Sequence, residues 1–279
     1  MNQNITLLDG AMGTQIWEKT GESKPVWLYN MTHPEVVLEV HKAYIKAGVD
    51  IILSNTFGAN RQAVSRASSY TVTEVVQAGM RVAKSATVGT NVKVALSVGP
   101  LMELLEPYGD LTEEEAIEIY TEQIGAAFMG QDKPDMVLLE TFMDAEMMRV
   151  AATVAKSYGV PVLCSLTFEK IGKTLMGQSV EDVIEILAPA EIDAIGMNCS
   201  LGPDLALPII ERFANATPLP LIFKPNAGMP VVVGSKTTFP YTAEEFTSQI
   251  KEALSYVTYL GGCCGTTPAH IQTLKSLLS

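Results

Sequence analysis

Basic residues are scarce in this chain of 279 residues: 19 Lys and Arg stand against 31 Asp and Glu, for a net charge of −12. No run of Lys or Arg occurs. Phosphate backbones are held by clustered cations, so no nucleic-acid partner is expected. No stretch approaches the roughly 20 apolar residues that a membrane helix needs, so no membrane partner is expected either. The start, "MNQNITLLDGAMGTQ", lacks a basic segment followed by a long apolar one; a signal peptide is not expected. Four cysteines in this length do not make a disulfide scaffold. A reducing cytoplasm is the expected location, where neighbouring thiols serve metal or redox chemistry. Linkers, low-complexity tracts and repeats are missing too, and one domain over residues 1–279 is expected.

What is present is a series of eight short apolar, β-branched runs. They begin at Ile5, Asp50, Val92, Asp135, Pro161, Ala194, Leu219 and Val257, and most end in Gly, Asn, Ser or Thr. Continuous apolar runs, rather than alternating ones, suit strands buried on both faces, as in parallel sheets. Helical spacing fills the gaps. "PEVVLEVHKAYIKAG" places Val36, Val37, Val40, Tyr44 and Ile45 on one face and stops at Gly48. Thr112 with Glu115 spells a capping box, and Ser179 and Thr242 open further helices before acidic first turns. Eight strand–helix units predict a single-domain α/β fold, the (β/α)8 TIM barrel; a doubly wound open sheet is the rival. "GMPVVVGSKTTFPYT" reads as a long loop after the seventh strand.

Barrel chemistry sits at the C-terminal ends of the strands. Those positions are Asp9, Asn55, Gly99, Glu140, Thr167, Cys199, Asn226 and the pair Cys263–Cys264. Three of the four cysteines therefore fall at one end, and Cys164 reads as packing inside strand five. Three thiolates with one open position form a catalytic zinc pattern. Gly261, Gly262 and Gly265 permit the bent backbone that adjacent ligands require. The plain alternative is two small apolar residues in a turn. A zinc ion held by three thiolates is a poor generator of hydroxide but suits a substrate thiol, kept deprotonated and electron-rich for attack on carbon. Asp9 and Glu140 then serve an ammonium group, and the "DGAMGT" turn offers backbone N–H groups to a carboxylate. Against this, Asp9 reads equally as a turn-former before Gly10, and Glu140 as half of a salt bridge. His33 reads as a pre-helix loop residue, and His41 and His270 as surface or second-layer residues, not ligands.

The segments "LLDGAMGTQ", "SNTFGANR", "LLETF", "GMNCSLGPD", "KPNAGMP" and "GGCCGTTPAHI" resemble the homocysteine S-methyltransferase family. Within it they are most similar to the homocysteine-binding domain of cobalamin-dependent methionine synthase, here as a standalone chain. The resemblance implies a zinc-dependent enzyme, with ligands Cys199, Cys263 and Cys264, that methylates homocysteine to methionine. It implies substrate contacts at Asp9, Gly10, Ala11, Met12 and Glu140, and places Asn226 close to the metal. The folate, cobalamin and activation modules of full-length relatives do not follow. A methyl-corrinoid on a separate protein is therefore the expected donor, with methylcobalamin an indirect cofactor. A small donor, S-methylmethionine or a betaine, is the alternative, and a non-catalytic homocysteine- and zinc-binding subunit is the third reading.

Overall fold

The computed structural model describes residues 5–234 and 236–279. Ten strands lie in chain order: β1 (Thr6–Leu7), β2 (Ile51–Leu53), β3 (Lys93–Val98), β4 (Met136–Phe142), β5 (Val162–Leu166), β6 (Ala194–Asn198), β7 (Leu221–Lys224), β8 (Val231–Val233), β9 (Lys236–Thr238) and β10 (Tyr259–Leu260). Eight of them pair in parallel in the order β1-β10-β7-β6-β5-β4-β3-β2. A parallel bridge between Leu8 and Ile51 joins the two ends. This is the (β/α)8 barrel, with one strand from each of the eight apolar runs. The remaining pair, β8 and β9, is an antiparallel hairpin in the segment that reads from sequence as a plain loop.

Two apolar layers follow from the period-2 alternation of strand side chains. Leu8, Ile51, Leu53, Ala95, Met136, Leu138, Leu163, Ala194 and Ile222 form a small inner cluster. Their neighbours Val94, Val137, Leu139, Ile195 and Phe223 belong to the larger cluster shared with the helices. Steps of two from the inner residues reach Ser97, Glu140, Ser165, Asn198 and Lys224. The inner register thus turns polar at the C-terminal end of the barrel.

The helix Pro34–Ala47 ends at a left-handed Gly48, as the sequence suggests, and the boxes at Thr112, Ser179 and Thr242 are formed. Its buried residues are Val37, Val40, His41, Tyr44 and Ala47, with Val36 and Ile45 only partly covered. His41 is therefore a buried residue of the helix layer, the second-layer alternative of its sequence reading and not the surface one. Neither ring nitrogen has a hydrogen-bond partner among the described residues, and burial pushes its pKa down to about 4. The unfolded chain takes up this proton near pH 6.5, the native chain only near 4. Stability should therefore fall as pH drops through that window, by up to about 3 kcal/mol from this group. His41→Leu should flatten that part of the acid limb. Urea unfolding at pH 5 and pH 7 checks this; an unchanged difference between the two pH values would refute it.

Candidate active site

Each sulfur of the candidate cluster is aimed by an unusual piece of backbone. Cys199 and Ser200 follow β6 with φ of 61° and 58°, left-handed values that side chains adopt at a cost. Cys263 and Cys264 follow β10, and the chain leaves them through Gly265 at φ 79°. The Cys263 N–H donates to Pro225 O at 2.8 Å, and Cys264 O accepts from Ala227 N–H at 3.0 Å. These bonds fix the cysteine loop against the segment after β7. The three Sγ atoms lie within 4.8 Å of one another, and Cys199 Sγ is 3.8 Å from Cys264 Sγ. A tetrahedral ion with metal–sulfur bonds of about 2.3 Å has sulfur–sulfur edges of about 3.8 Å, so the cluster fits zinc. Its electrostatics fit as well. The contact with Cys263 lowers the Cys199 thiol, but the contact with Cys264 and burial outweigh it and push the pKa up to about 12. The Cys263 thiol is also raised well above its ordinary value, by Cys199 first, with Cys264 pulling it down and burial pushing it up. Three thiols this close ionise together only around a cation. Asn198 Nδ2 reaches Cys263 Sγ at 3.8 Å, while its Oδ1 accepts from Thr141 N–H at 2.8 Å and Ser165 Oγ at 2.9 Å.

A buried ionic group lies within electrostatic reach of Cys263. Asp9 and Glu140 flank Lys224, whose Nζ lies 3.4 Å from Asp9 Oδ1 and 3.8 Å from Glu140 Oε2. Asp9 Oδ2 accepts the Leu53 N–H at 2.8 Å, and Ser97 Oγ donates to Glu140. Burial raises the Asp9 pKa to about 6 against the pull of Lys224, so its carboxyl is mostly ionised at neutral pH. Burial alone would discharge Lys224, but Glu140 and Asp9 hold it protonated, above the ordinary lysine range. Two carboxylates and one ammonium leave the group at a net charge of −1. Lys224 is absent from the sequence reading. Its signal was a lysine closing an otherwise apolar strand, two residues after Ile222 in the inner register.

One cavity of about 240 Å³ joins the two clusters. Asp9, Gly10, Ala11, Met12, Glu140, Lys224 and the three cysteines all line it, with Trp17 and Phe57 on its wall. Asn226 is not among the lining residues. It is buried between Pro225 and Ala227, the two residues bonded to the cysteine loop, with an Oδ1 that has no hydrogen-bond partner among the described residues. Ala11 N–H is already donated to Thr266 Oγ1 at 3.1 Å. Donors for a ligand in this turn are then to be sought in its other N–H groups, among them those at the start of the helix Gly13–Thr20. None of the three histidines lines the cavity, and Cys164 is buried in β5 with its thiol pushed far up by burial.

The mouth of this (β/α)8 barrel thus brings three sulfurs that could hold a metal ion into one cavity with a buried carboxylate–lysine group. The family model for homocysteine S-methyltransferase matches residues 6–278, and the chain belongs to that family. Methionine synthase of Mycobacterium leprae is 28% identical over 99% of this chain, and that of Mycobacterium tuberculosis is 28% identical over 100% of this chain. The chain spans about a quarter of the length of both relatives. Among solved structures, the homocysteine methyltransferase MmuM from Escherichia coli in its metallated form superposes with a TM-score of 0.80 at 24% identity, covering 99% of this chain and 96% of that one. Its oxidized form gives 0.81 at 22% identity with the same coverage. These structural likenesses bear on the fold. No helix among the described residues is long and apolar enough to cross a membrane.

Proposed function

We propose that this chain transfers a methyl group to the thiol of homocysteine, giving methionine, with zinc held by Cys199, Cys263 and Cys264. The observation that carries the reading is the shared cavity: three sulfurs and a net −1 ionic group line one space at the scale of one amino acid. Zinc, when bound, favours the deprotonated form of a substrate thiol and keeps its sulfur electron-rich. The rest of the work falls to the chain. Asp9 and Glu140 accept hydrogen bonds from the substrate ammonium, whose single charge neutralises the group. The first turn of helix Gly13–Thr20 presents unpaired N–H groups and a positive dipole end to the substrate carboxylate, beside Gly10, Ala11 and Met12. Asn226, close in sequence to the segment that pins the cysteine loop, carries a spare buried oxygen that suits a role toward the metal. Methyl transfer makes the S–C bond as the donor–carbon bond breaks, with the electron pair leaving on the donor.

A methyl-corrinoid carried by a separate protein is the favoured donor. The cavity opens on the face formed by the strand-to-helix loops, where Phe57, Met102, Tyr108, Ile171, Leu175 and Val232 are exposed. Apolar side chains gathered on one face suit docking of a macromolecule. A second reading, a small methyl-onium donor such as S-methylmethionine or a betaine, is favoured by one feature. Trp17 and Phe57 line the cavity, and aromatic faces attract onium cations.

The purified zinc-loaded chain, supplied with homocysteine, should form methionine from a methylcobalamin-loaded corrinoid protein. Turnover with S-methylmethionine alone would establish the second reading instead. Binding of zinc and homocysteine without transfer from any donor would make the chain a non-catalytic binding subunit.

A further inference from the structure

Two parts of the cavity that are distant in sequence are tied by one hydroxyl. Thr266 is fully buried, and its Oγ1 donates to Cys263 O at 2.7 Å while accepting from Ala11 N–H at 3.1 Å. Tyr44, also buried, reaches the same residue from the helix Pro34–Ala47. Its hydroxyl donates to Ala11 O at 2.8 Å and lies 3.3 Å from Thr266 O. Both polar atoms of the Ala11 unit are thus held, one by each side chain. A third tie, Gly262 N–H to Asp9 O at 3.1 Å, runs alongside. Space for this arrangement is made by two glycines. A Cβ on Gly10 would come within 2.5 Å of Thr266 Oγ1 and 2.8 Å of the Tyr44 hydroxyl, and one on Gly262 within 2.4 Å of Thr266 Oγ1. The glycines let the turn and the cysteine loop close on the threonine.

These ties join the two places that a bound amino-acid thiol must reach at once. The turn from Asp9 to Met12 carries the amine-binding carboxylate and leads to the carboxylate-binding N–H groups. Cys263 carries a sulfur of the metal cluster. The spacing between them corresponds to a number of methylenes in the substrate.

We propose that Thr266 and Tyr44 are specificity-determining positioning residues that fix the span from the Asp9–Met12 turn to Cys263, and so select an amino-acid thiol by chain length, homocysteine over cysteine. The inference rests on the homocysteine reading of the cavity. A thiol one methylene shorter cannot satisfy both ends while the span is fixed. Once the span is loosened, it loses that disadvantage.

The test is calorimetric binding of L-homocysteine and L-cysteine to the full zinc-loaded chain, with metal content and melting temperature measured in parallel. The wild-type chain should prefer homocysteine by at least about tenfold, the scale of one methylene in a fitted site. Thr266→Val and Tyr44→Phe should each cut that preference about tenfold, by weakening homocysteine more than cysteine, with zinc content unchanged. Thr266→Ser keeps the hydroxyl and should keep the wild-type ratio. Tyr44→Phe removes a single oxygen, so it carries the test even where Thr266→Val fails to fold. The inference is overturned if both thiols weaken by the same factor, if the ratio stays at the wild-type value, or if Thr266→Ser behaves like Thr266→Val. A wild-type chain that binds neither thiol overturns the substrate reading and this inference with it. A wild-type chain that discriminates while the variants keep its ratio overturns the span alone.

Discussion

Alanine in place of Cys263 is expected to strip the metal and abolish methyl transfer. Cys263 is the most enclosed of the three sulfurs, in contact with Asn198 and with its loop pinned to Pro225 O. Structural zinc sites of four ligands are worth about 10–16 kcal/mol, or roughly 3 kcal/mol per ligand, so losing one should weaken zinc by a hundredfold or more. The same result is expected for Cys199→Ala and Cys264→Ala. Cys164→Ala should keep its zinc, since that thiol lies inside β5, away from the cluster. Metal analysis after dialysis, with circular dichroism to confirm folding, reads the outcome. A full zinc complement in Cys263→Ala would remove this residue from the ligand set.

Asp9→Asn and Glu140→Gln should each raise the dissociation constant for homocysteine about tenfold or more while leaving zinc in place. A hydrogen bond to a charged group is worth about 1.5–3 kcal/mol, and 1.4 kcal/mol is a factor of ten. Lys224 sharpens the expectation. It spends part of both carboxylates, so removing either takes the group from −1 to neutral and leaves no net charge to attract an ammonium. Asp9 adds a pH signature. Its carboxyl, raised to about 6 by burial, is ionised above that value and protonated below it. Homocysteine binding should therefore weaken as pH falls through about 6 in the wild-type chain, and this step should vanish in Asp9→Asn. Normal binding in both variants would make these carboxylates structural and the substrate orientation wrong.

The fold was legible because strand period and strand count act locally. All eight apolar runs became barrel strands, and the capping boxes formed where Thr112, Ser179 and Thr242 stand. The sulfur cluster was legible because Cys199 and the pair Cys263–Cys264 each follow a strand end. Lys224 was readable in principle, in register with Ile222, but "KPNAG" looks like the opening of a loop. His41 shares the helix face of Val37 and Tyr44, which favours its second-layer reading over the surface one, but a lone histidine carries no signal that decides between them. The hairpin of β8 and β9 has strands of three residues each, too short to impose a pattern. Thr266 and Tyr44 lay beyond any local reading. Their roles depend on Ala11, Gly10 and Gly262 meeting in space, and Ala11 and Thr266 are 255 positions apart.

The barrel closes at its narrowest joint, the bridge between Leu8 and Ile51, and both flanks of that joint are mended by acids. Asp50 Oδ2 takes the Leu7 N–H at 2.7 Å, and Asp9 Oδ2 takes the Leu53 N–H at 2.8 Å, where a neighbouring strand would ordinarily offer a carbonyl. Asp9 is therefore a two-handed residue. One oxygen clasps the ring shut, and the other faces the lysine and the cavity. Asparagine can keep the clasp with its own carbonyl while surrendering the charge, whereas alanine lets go of both. In this barrel the hoop and the grip on a guest are forged from the same carboxylate.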